Sequence, residues 1–188
     1  GIYICPPIPR FEGYEMTPST PVLENLVVTG NHAYAGGGIS IWEQEGPSLT
    51  NIVISNNTAT WLGGGIMIAA SVATLKDVDI FENIATEGEG NWAASGGGVF
   101  MDHGHAIMEN VNIYSNSAQY EAGISLWFEN SLKLYNSTIY GNQAETSGGI
   151  GVFNLNGNIR ITNTIFWDNV PNDVTLNSSQ ATIRYSNI

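Results

Sequence analysis

The sequence predicts an all-β fold, a right-handed parallel β-helix of about seven coils of about 26 residues, with three short parallel sheets. Three observations carry this prediction: a repeated glycine motif, a repeated asparagine motif, and apolar residues that alternate with polar ones. Alternation with a period of ~2 indicates β-strands, and no segment shows the ~3.6-residue period of an amphipathic helix. Glycine, with 22 copies in 188 residues, and asparagine are both poor helix formers and suit a fold rich in turns.

The glycine motif consists of three glycines followed by an aliphatic residue. Complete copies lie at 36–39, 63–66 and 96–99, and shortened copies lie at 122–124 and 148–150. After the first copy, two isoleucines stand two positions apart, as they do on the inward face of a strand. Each glycine motif therefore predicts a tight turn that leads into a short strand.

The asparagine motif is Asn-x-Ala, with Asn-Val-Pro as its last copy, at successive spacings of 26, 26, 33, 26 and 27 residues. A unit of that length with three short strands cannot bury its apolar side chains alone, so the units must stack as coils ~4.8 Å apart. Stacked asparagines at a turn can hydrogen-bond from coil to coil. Because every coil carries one, we interpret them as a structural ladder rather than a ligand site. The ladder residues are Asn31, Asn57, Asn83, Asn116, Asn142 and Asn169.

Charge and composition limit the partners. Five Lys+Arg against 17 Asp+Glu give a formal net charge of -12. Nucleic acids and anionic membranes both require a basic surface, so we expect no nucleic-acid partner and, without an apolar run of ~18 residues, no direct membrane insertion. The single cysteine, Cys5, excludes a disulfide framework and a cysteine-rich zinc site. No cofactor is expected, with calcium as the one cation that acidic groups could share.

The two motifs also carry a family resemblance. The first stands as GGGI, GGGI and GGGV, and the second stands as VTGN, ISNN, IFEN, IYSN, IYGN and FWDN. This pairing resembles the repeats of chlamydial polymorphic outer-membrane proteins and, more widely, of right-handed parallel β-helix repeat surface proteins of environmental bacteria. The resemblance implies an adhesin-like scaffold located outside the cell or on a bacterial cell surface.

Residues 1–188 are expected to form a single β-helix domain. Neither end carries the polar cap that a solenoid requires for solubility. We therefore expect the chain to be a fragment of a longer solenoid, with the neighbouring coils of the parent chain as partners.

One outward face, located after the glycine motifs, is the candidate ligand surface. Alternation points two columns of side chains outward there, and aromatic rings on successive coils would form a platform suited to sugar rings. An inserted loop at 86–95 lies beside this face, and loops on rigid scaffolds commonly carry binding residues. Aromatic residues also favour exposed strand positions without any ligand, which is the alternative. The predicted ligand-binding residues are Trp42, Phe100, Asp102, His103, Trp127, Glu87, Glu89 and Trp92.

The expected function is a non-catalytic surface scaffold that binds a polysaccharide or cell-surface glycan, with neutral sugars favoured by the low basic content. The alternative is a polysaccharide-degrading lyase or glycoside hydrolase, in which Asp102 and Glu129 would be the paired catalytic carboxylates. A lyase of this fold also requires a basic residue beside acidic calcium ligands, and no aspartate cluster accompanies Lys76 or Lys133. Enzyme activity therefore stays open, and the non-catalytic interpretation is preferred. No residues are assigned to a metal site.

A second outward column is entirely aromatic over four coils. We interpret it as a structural ladder of rings, with a contact surface for a partner or glycan as the alternative. Its residues are Phe81, Tyr114, Tyr140 and Trp167.

Overall fold

Short apolar strands alternate with turns, and in the computed structural model they wind into a parallel β-solenoid of about 6 turns. The structure describes residues 1–5, 20–43, 45–86, 93–153, 157–177 and 180–188. The prediction of an all-β solenoid with three parallel sheets is confirmed, with about one turn fewer than the seven expected. Over these described ranges no helix is present that is long and apolar enough to cross a membrane.

The strands are short, and few exceed five residues. In chain order they are β1 (Ile2–Ile4), β2 (Val22–Thr29), β3 (His32–Ala35), β4 (Ile39–Trp42), β5 (Glu45–Ser55), β6 (Thr58–Leu62), β7 (Ile66–Ala69), β8 (Val72–Phe81), β9 (Ile84–Ala85) and β10 (Val99–Asp102). They continue as β11 (His105–Tyr114), β12 (Ile124–Trp127), β13 (Ser131–Tyr135), β14 (Thr138–Tyr140), β15 (Ile150–Phe153), β16 (Asn158–Thr162), β17 (Ile165–Trp167), β18 (Val174–Leu176) and β19 (Gln180–Arg184).

Three sheets run along the solenoid, and all their strand pairs are parallel. Sheet A has seven strands in the order β1-β4-β7-β10-β12-β15-β18. Sheet B has nine strands, with the main path β2-β5-β8-β11-β13-β16-β19 and with β14 and β17 beside it. Sheet C has three strands, β3-β6-β9, and single parallel bridges continue its line from Ile84 to Ser117, Gln143 and Val170.

The core is a continuous stack of aliphatic side chains inside the coils. In sheet A, Ile4 pairs with Ile41 and Ile41 with Ile68, so identical residues lie above one another. In sheet B, Leu49 pairs with Leu75, and both are fully buried. Burying one such side chain stabilises a fold by about 1.5–3 kcal/mol, so the interior columns supply the main stabilisation of each coil.

The predicted asparagine ladder is present at the turn before sheet C. The amide nitrogen of Asn57 donates to Asn83 Oδ1 at 2.9 Å, and that of Asn83 donates to Asn116 Oδ1 at 3.0 Å. Each amide also donates to a backbone carbonyl, such as that of Ile54. The ladder ends at Asp173, whose carboxylate accepts from the Asn169 side chain at 2.7 Å, because a carboxylate can only accept.

A second polar ladder lies on the outside of sheet B. Its residues all have positive φ, between 51° and 56°, and all are exposed. Asparagine and aspartate tolerate this left-handed conformation better than other side chains. The column kinks the strand at the same place in successive coils, and it consists of Asn25, Asn51, Asp77, Asn110, Asn136 and Asn163.

Candidate functional site

The corner that follows sheet A has an unusual backbone. The residue directly after each of four successive strands adopts positive φ: Glu43 at 49°, Ala70 at 46°, His103 at 49° and Phe128 at 57°. None of these is glycine or asparagine, and a bulky residue such as phenylalanine is a genuine outlier in this region. In the outer ladder of sheet B, the positions with a similar positive φ are occupied by asparagine and aspartate. The corner after sheet A differs, because it includes residues that disfavour this conformation.

Around this corner lies a group of aromatic and polar side chains that we call the corner patch: Asp102, His103, Trp127, Phe128 and Phe153. Asp102, Trp127 and Phe153 pair in register across three successive coils. The ring of His103 stacks on that of Phe128, with centroids 5.3 Å apart and planes 17° apart. His103 Nδ1 lies 2.6 Å from Asp102 Oδ1, which orients the imidazole.

The patch is accessible to solvent. The side chains of His103 and Asp102 are 56% and 37% exposed, and Phe128 and Phe153 are 56% and 37% exposed. Asp102, His103 and Trp127 are thus three predicted ligand-binding residues that the fold brings together. Phe128 and Phe153 were not predicted as ligand-binding residues. The repeat register places Phe153 in the outward column of Trp127, whereas the sequence has no signal that singles out Phe128.

The expectation that the Phe100 ring forms part of an exposed platform is wrong. Phe100 is only 1% exposed, and it packs with Leu62, Met67 and Ala69 in a second apolar cluster outside the main core. The chain before the glycines, which includes Leu62 and Trp61, folds over the outer face of sheet A and covers this column. Alternation along a strand gives the direction of a side chain, but it does not show what covers it.

Trp42 is exposed but separate from the corner patch. It lies in the same column, and Ala69 stands between it and Asp102 in register. A continuous row of aromatic rings is therefore absent from that part of the face. The predicted residues Glu87, Glu89 and Trp92 lie outside the residues that the structure describes.

The second aromatic column is a stack of parallel rings. Phe81 lies 4.8 Å from Tyr114 with planes 9° apart, and Tyr114 lies 4.8 Å from Tyr140 with planes 6° apart. Because these rings cover one another's faces, they present mainly their edges to solvent. A sugar ring stacks on an aromatic face, so this column suits a structural role.

The proposed carboxylate pair is not opposed across a strand pair. Asp102 lies opposite Trp127 in the register, whereas Glu129 is exposed in the turn that follows Phe128. The Asp102 carboxylate is engaged with His103. Over the described part of the chain, no group of three or more His, Cys, Asp or Glu residues is arranged to hold a metal ion.

A buried carboxyl group lies one corner away, where the sequence analysis placed no functional residue. Glu121 is 1% exposed, and its Oε2 accepts a hydrogen bond of 2.9 Å from the Ser125 hydroxyl. Its Oε1 accepts one of 3.2 Å from Thr146. The Ser95 hydroxyl and the Trp127 indole N–H also face the carboxylate, outside hydrogen-bond geometry. In other coils, the equivalent position directly before the glycine motif holds Leu62, Ser95 or Ser147. A glutamate at this position was the sequence signal that could have identified the buried carboxyl group.

Burial raises the pKa of Glu121 above that of an ordinary glutamate, and its hydrogen bonds only partly offset that shift. A raised folded-state pKa means that its contribution to stability is complete below about pH 4 and is lost as the pH rises through the folded-state value. We therefore expect Glu121→Gln to be more stable than the parent at neutral pH and to lose this advantage near pH 4. Denaturant unfolding from pH 4 to 8 measures the difference. The exposed Glu145→Gln is the control, and an equal pH profile for both variants would contradict the prediction.

Comparisons with protein-family models, with curated proteins and with solved structures find no match for this chain.

Proposed function

We propose that this chain is a non-catalytic surface scaffold that binds a glycan at the corner patch. The observation that carries the proposal is Phe128, an aromatic residue that is 56% exposed and held in the left-handed region at φ 57°. That conformation costs about 1–2 kcal/mol for a residue with a Cβ, and solvent exposure offers little packing in return. Local strain retained at an exposed position supports a functional role.

The chemistry of the patch suits a sugar. The faces of aromatic rings pack against the apolar faces of pyranose rings. Trp127 and Phe153 pair across neighbouring coils, and Phe128 directly follows Trp127 in the chain. Beside them, Asp102 and His103 offer a carboxylate and an imidazole that can hydrogen-bond to hydroxyl groups. A few polar groups at the edge of an apolar surface are typical of carbohydrate and other small-molecule sites.

The same proposal places the protein outside the cell or on a cell surface. The pairing of glycine and asparagine motifs resembles β-helix repeat surface proteins, including those of chlamydiae, which supports an adhesin-like role outside the cell or on its surface. Coils that stack through an aliphatic core and a buried asparagine ladder form a regular scaffold, which suits the display of a ligand face.

The test is Phe128→Asn, assayed by retention on a panel of immobilised neutral polysaccharides. Asparagine relieves the left-handed strain while the stacking on His103 is lost, so we expect the free energy of unfolding to change by less than about 1 kcal/mol. Retention should weaken about fivefold because an aromatic face is removed. Trp167→Ala, which removes a 67% exposed ring on another face, is the matched control and should bind normally. Unchanged retention by Phe128→Asn would contradict the proposal.

The enzyme alternative is tested on the same polysaccharides by measuring the release of new reducing ends. The scaffold proposal expects none. The contrary result is that the parent chain releases new reducing ends, while Asp102→Asn or Glu129→Gln releases none and is still retained on the polysaccharide. In that case the chain is a polysaccharide-degrading enzyme and the scaffold proposal is wrong.

A further inference from the structure

The basic side chains of this acidic protein are concentrated on one surface. Of the five Lys and Arg residues in the sequence, four lie on the outer face of sheet B, all of them exposed. Lys133 and Arg160 pair in register on neighbouring strands, and Arg184 follows on the next strand, opposite Thr162. We call Lys133, Arg160 and Arg184 the basic face; Lys76, the fourth, lies two strands away beside Glu109.

Within the described part of the chain, these four charges form no ion pair. Among the described residues, no Asp or Glu side chain lies within 4.0 Å of any of the four, and the one ion pair is that of His103 with Asp102. The strands β13, β16 and β19 contain no acidic residue. The exposed Glu109 lies on the neighbouring strand β11, where it pairs with Tyr135 and so stands diagonal to Lys133, but it forms no ion pair with it. In a chain with 17 acidic side chains, three cations on adjacent strands that form no ion pair with the described residues fit an anionic partner better than solvent alone.

A depression lies at the edge of this face. It has a volume of about 200 Å³ and is lined by Val72, His105, Ile107, Ser131 and Lys133. Ligand pockets for larger molecules span ~300–1,000 Å³, so this one has the size for a single sugar ring. Its lining includes the apolar side chains of Val72 and Ile107, the latter 40% exposed, and the cationic side chain of Lys133.

The spacing of the cations indicates a linear ligand. Lys133 and Arg160 occupy successive coils, which are stacked ~4.8 Å apart, a distance close to the length of one sugar unit in an extended polysaccharide. Duplex or single-stranded nucleic acid is disfavoured because its affinity depends on many phosphate contacts, whereas this face offers three cations on a molecule of net charge -12.

We propose that the basic face and its depression bind a linear acidic polysaccharide, with one ring in the depression and carboxylates at Lys133 and Arg160. This surface is separate from the corner patch and does not depend on the function proposed for it. It differs from the expectation that the low basic content favours neutral sugars over anionic ones.

The experiment compares retention on immobilised carboxymethylcellulose and hydroxyethylcellulose, which share a backbone and differ in charge. We expect stronger retention on the carboxymethyl polymer than on the neutral one, and this difference should decrease as salt is raised from about 0.05 to 0.5 M. The variant Lys133→Gln with Arg160→Gln should bind about tenfold more weakly. The control Ser48→Glu with Thr50→Glu changes the net charge by the same amount on the same face of sheet B, three strands away, and should bind nearly as the parent does.

Three outcomes would overturn the proposal. The first is equal retention of the parent chain on the two polymers. The second is a control variant that binds as weakly as Lys133→Gln with Arg160→Gln. The third is a single-stranded DNA oligonucleotide that binds as tightly as carboxymethylcellulose. The variant Phe128→Asn separates the two proposed sites. It alters the corner patch only, so its binding to carboxymethylcellulose should equal that of the parent. If it abolishes that binding, the corner patch is the anionic site and the basic face is not.

Discussion

Replacing Gly64 by alanine is expected to lower the free energy of unfolding by about 3 kcal/mol, at the upper end of overpacking effects. A Cβ at this position would lie 2.5 Å from the carbonyl oxygen of Ile84 and 2.6 Å from that of Gly97. Both oxygens belong to the backbone of the next coil, so the clash cannot be relieved by rotating a side chain. The two coils would have to separate, and the sheet hydrogen bonds between them would lengthen.

Denaturant unfolding of Gly64→Ala against Gly30→Ala separates crowding from backbone strain. Gly30 has φ 69° and no atom within 4 Å of an added Cβ, so alanine there should cost only about 1 kcal/mol. Gly64 does not have a positive φ, so a loss in Gly64→Ala no larger than that in Gly30→Ala would show that the close approach of the coils does not require a glycine there.

Asn83→Leu is expected to cost about 3 kcal/mol, because 1–3 kcal/mol is lost for each buried polar group left without a partner. Asn83 is fully buried, and its oxygen accepts from the Asn57 backbone N–H at 3.0 Å and from the Asn57 side chain at 2.9 Å. Its amide donates to the Ile54 carbonyl at 2.9 Å and to Asn116 at 3.0 Å. Leucine preserves the approximate volume but leaves the Asn57 backbone N–H and the Ile54 carbonyl short of these partners.

Asn158→Leu is the matched control for the ladder, since Asn158 is an exposed strand residue. The same change there should alter the free energy of unfolding by less than about 0.5 kcal/mol. Asn116→Leu should repeat the loss seen for Asn83→Leu, because it occupies the same position one coil further along. Unchanged unfolding midpoints in both ladder variants would show that the stacked amides contribute no net stability.

The sequence was most informative at positions where the same type of residue recurs in every coil. Leu49 and Leu75 occupy equivalent positions of two repeats, and the register of sheet B places one above the other in the interior. The asparagines were assigned correctly for the same reason, since a polar residue repeated at a tight turn can be satisfied only by its neighbours in adjacent coils. The count of turns was one too high, although the repeat itself was identified correctly.

The candidate site was less predictable, because it depends on what covers a residue and not only on its direction. Alternation pointed the Phe100 ring outward, yet Leu62 and the chain before the glycines bury it. Phe128 could not be selected from its type alone, since its importance comes from a positive φ that only the backbone reveals. Glu121 was assigned no role from the sequence, and the fold places its buried carboxylate between Ser125 and Thr146.

The sequence by itself determined the parallel stacking of coils, the interior columns and the buried asparagine ladder, because these follow from local periodicity repeated many times. The tertiary structure alone decided which outward residues stay accessible and which meet across coils. It buried Phe100, joined His103 to Phe128, and gathered Lys133, Arg160 and Arg184 on one face. The physical reason is that exposure and proximity depend on the path of the corners, which a residue pattern within one coil does not specify.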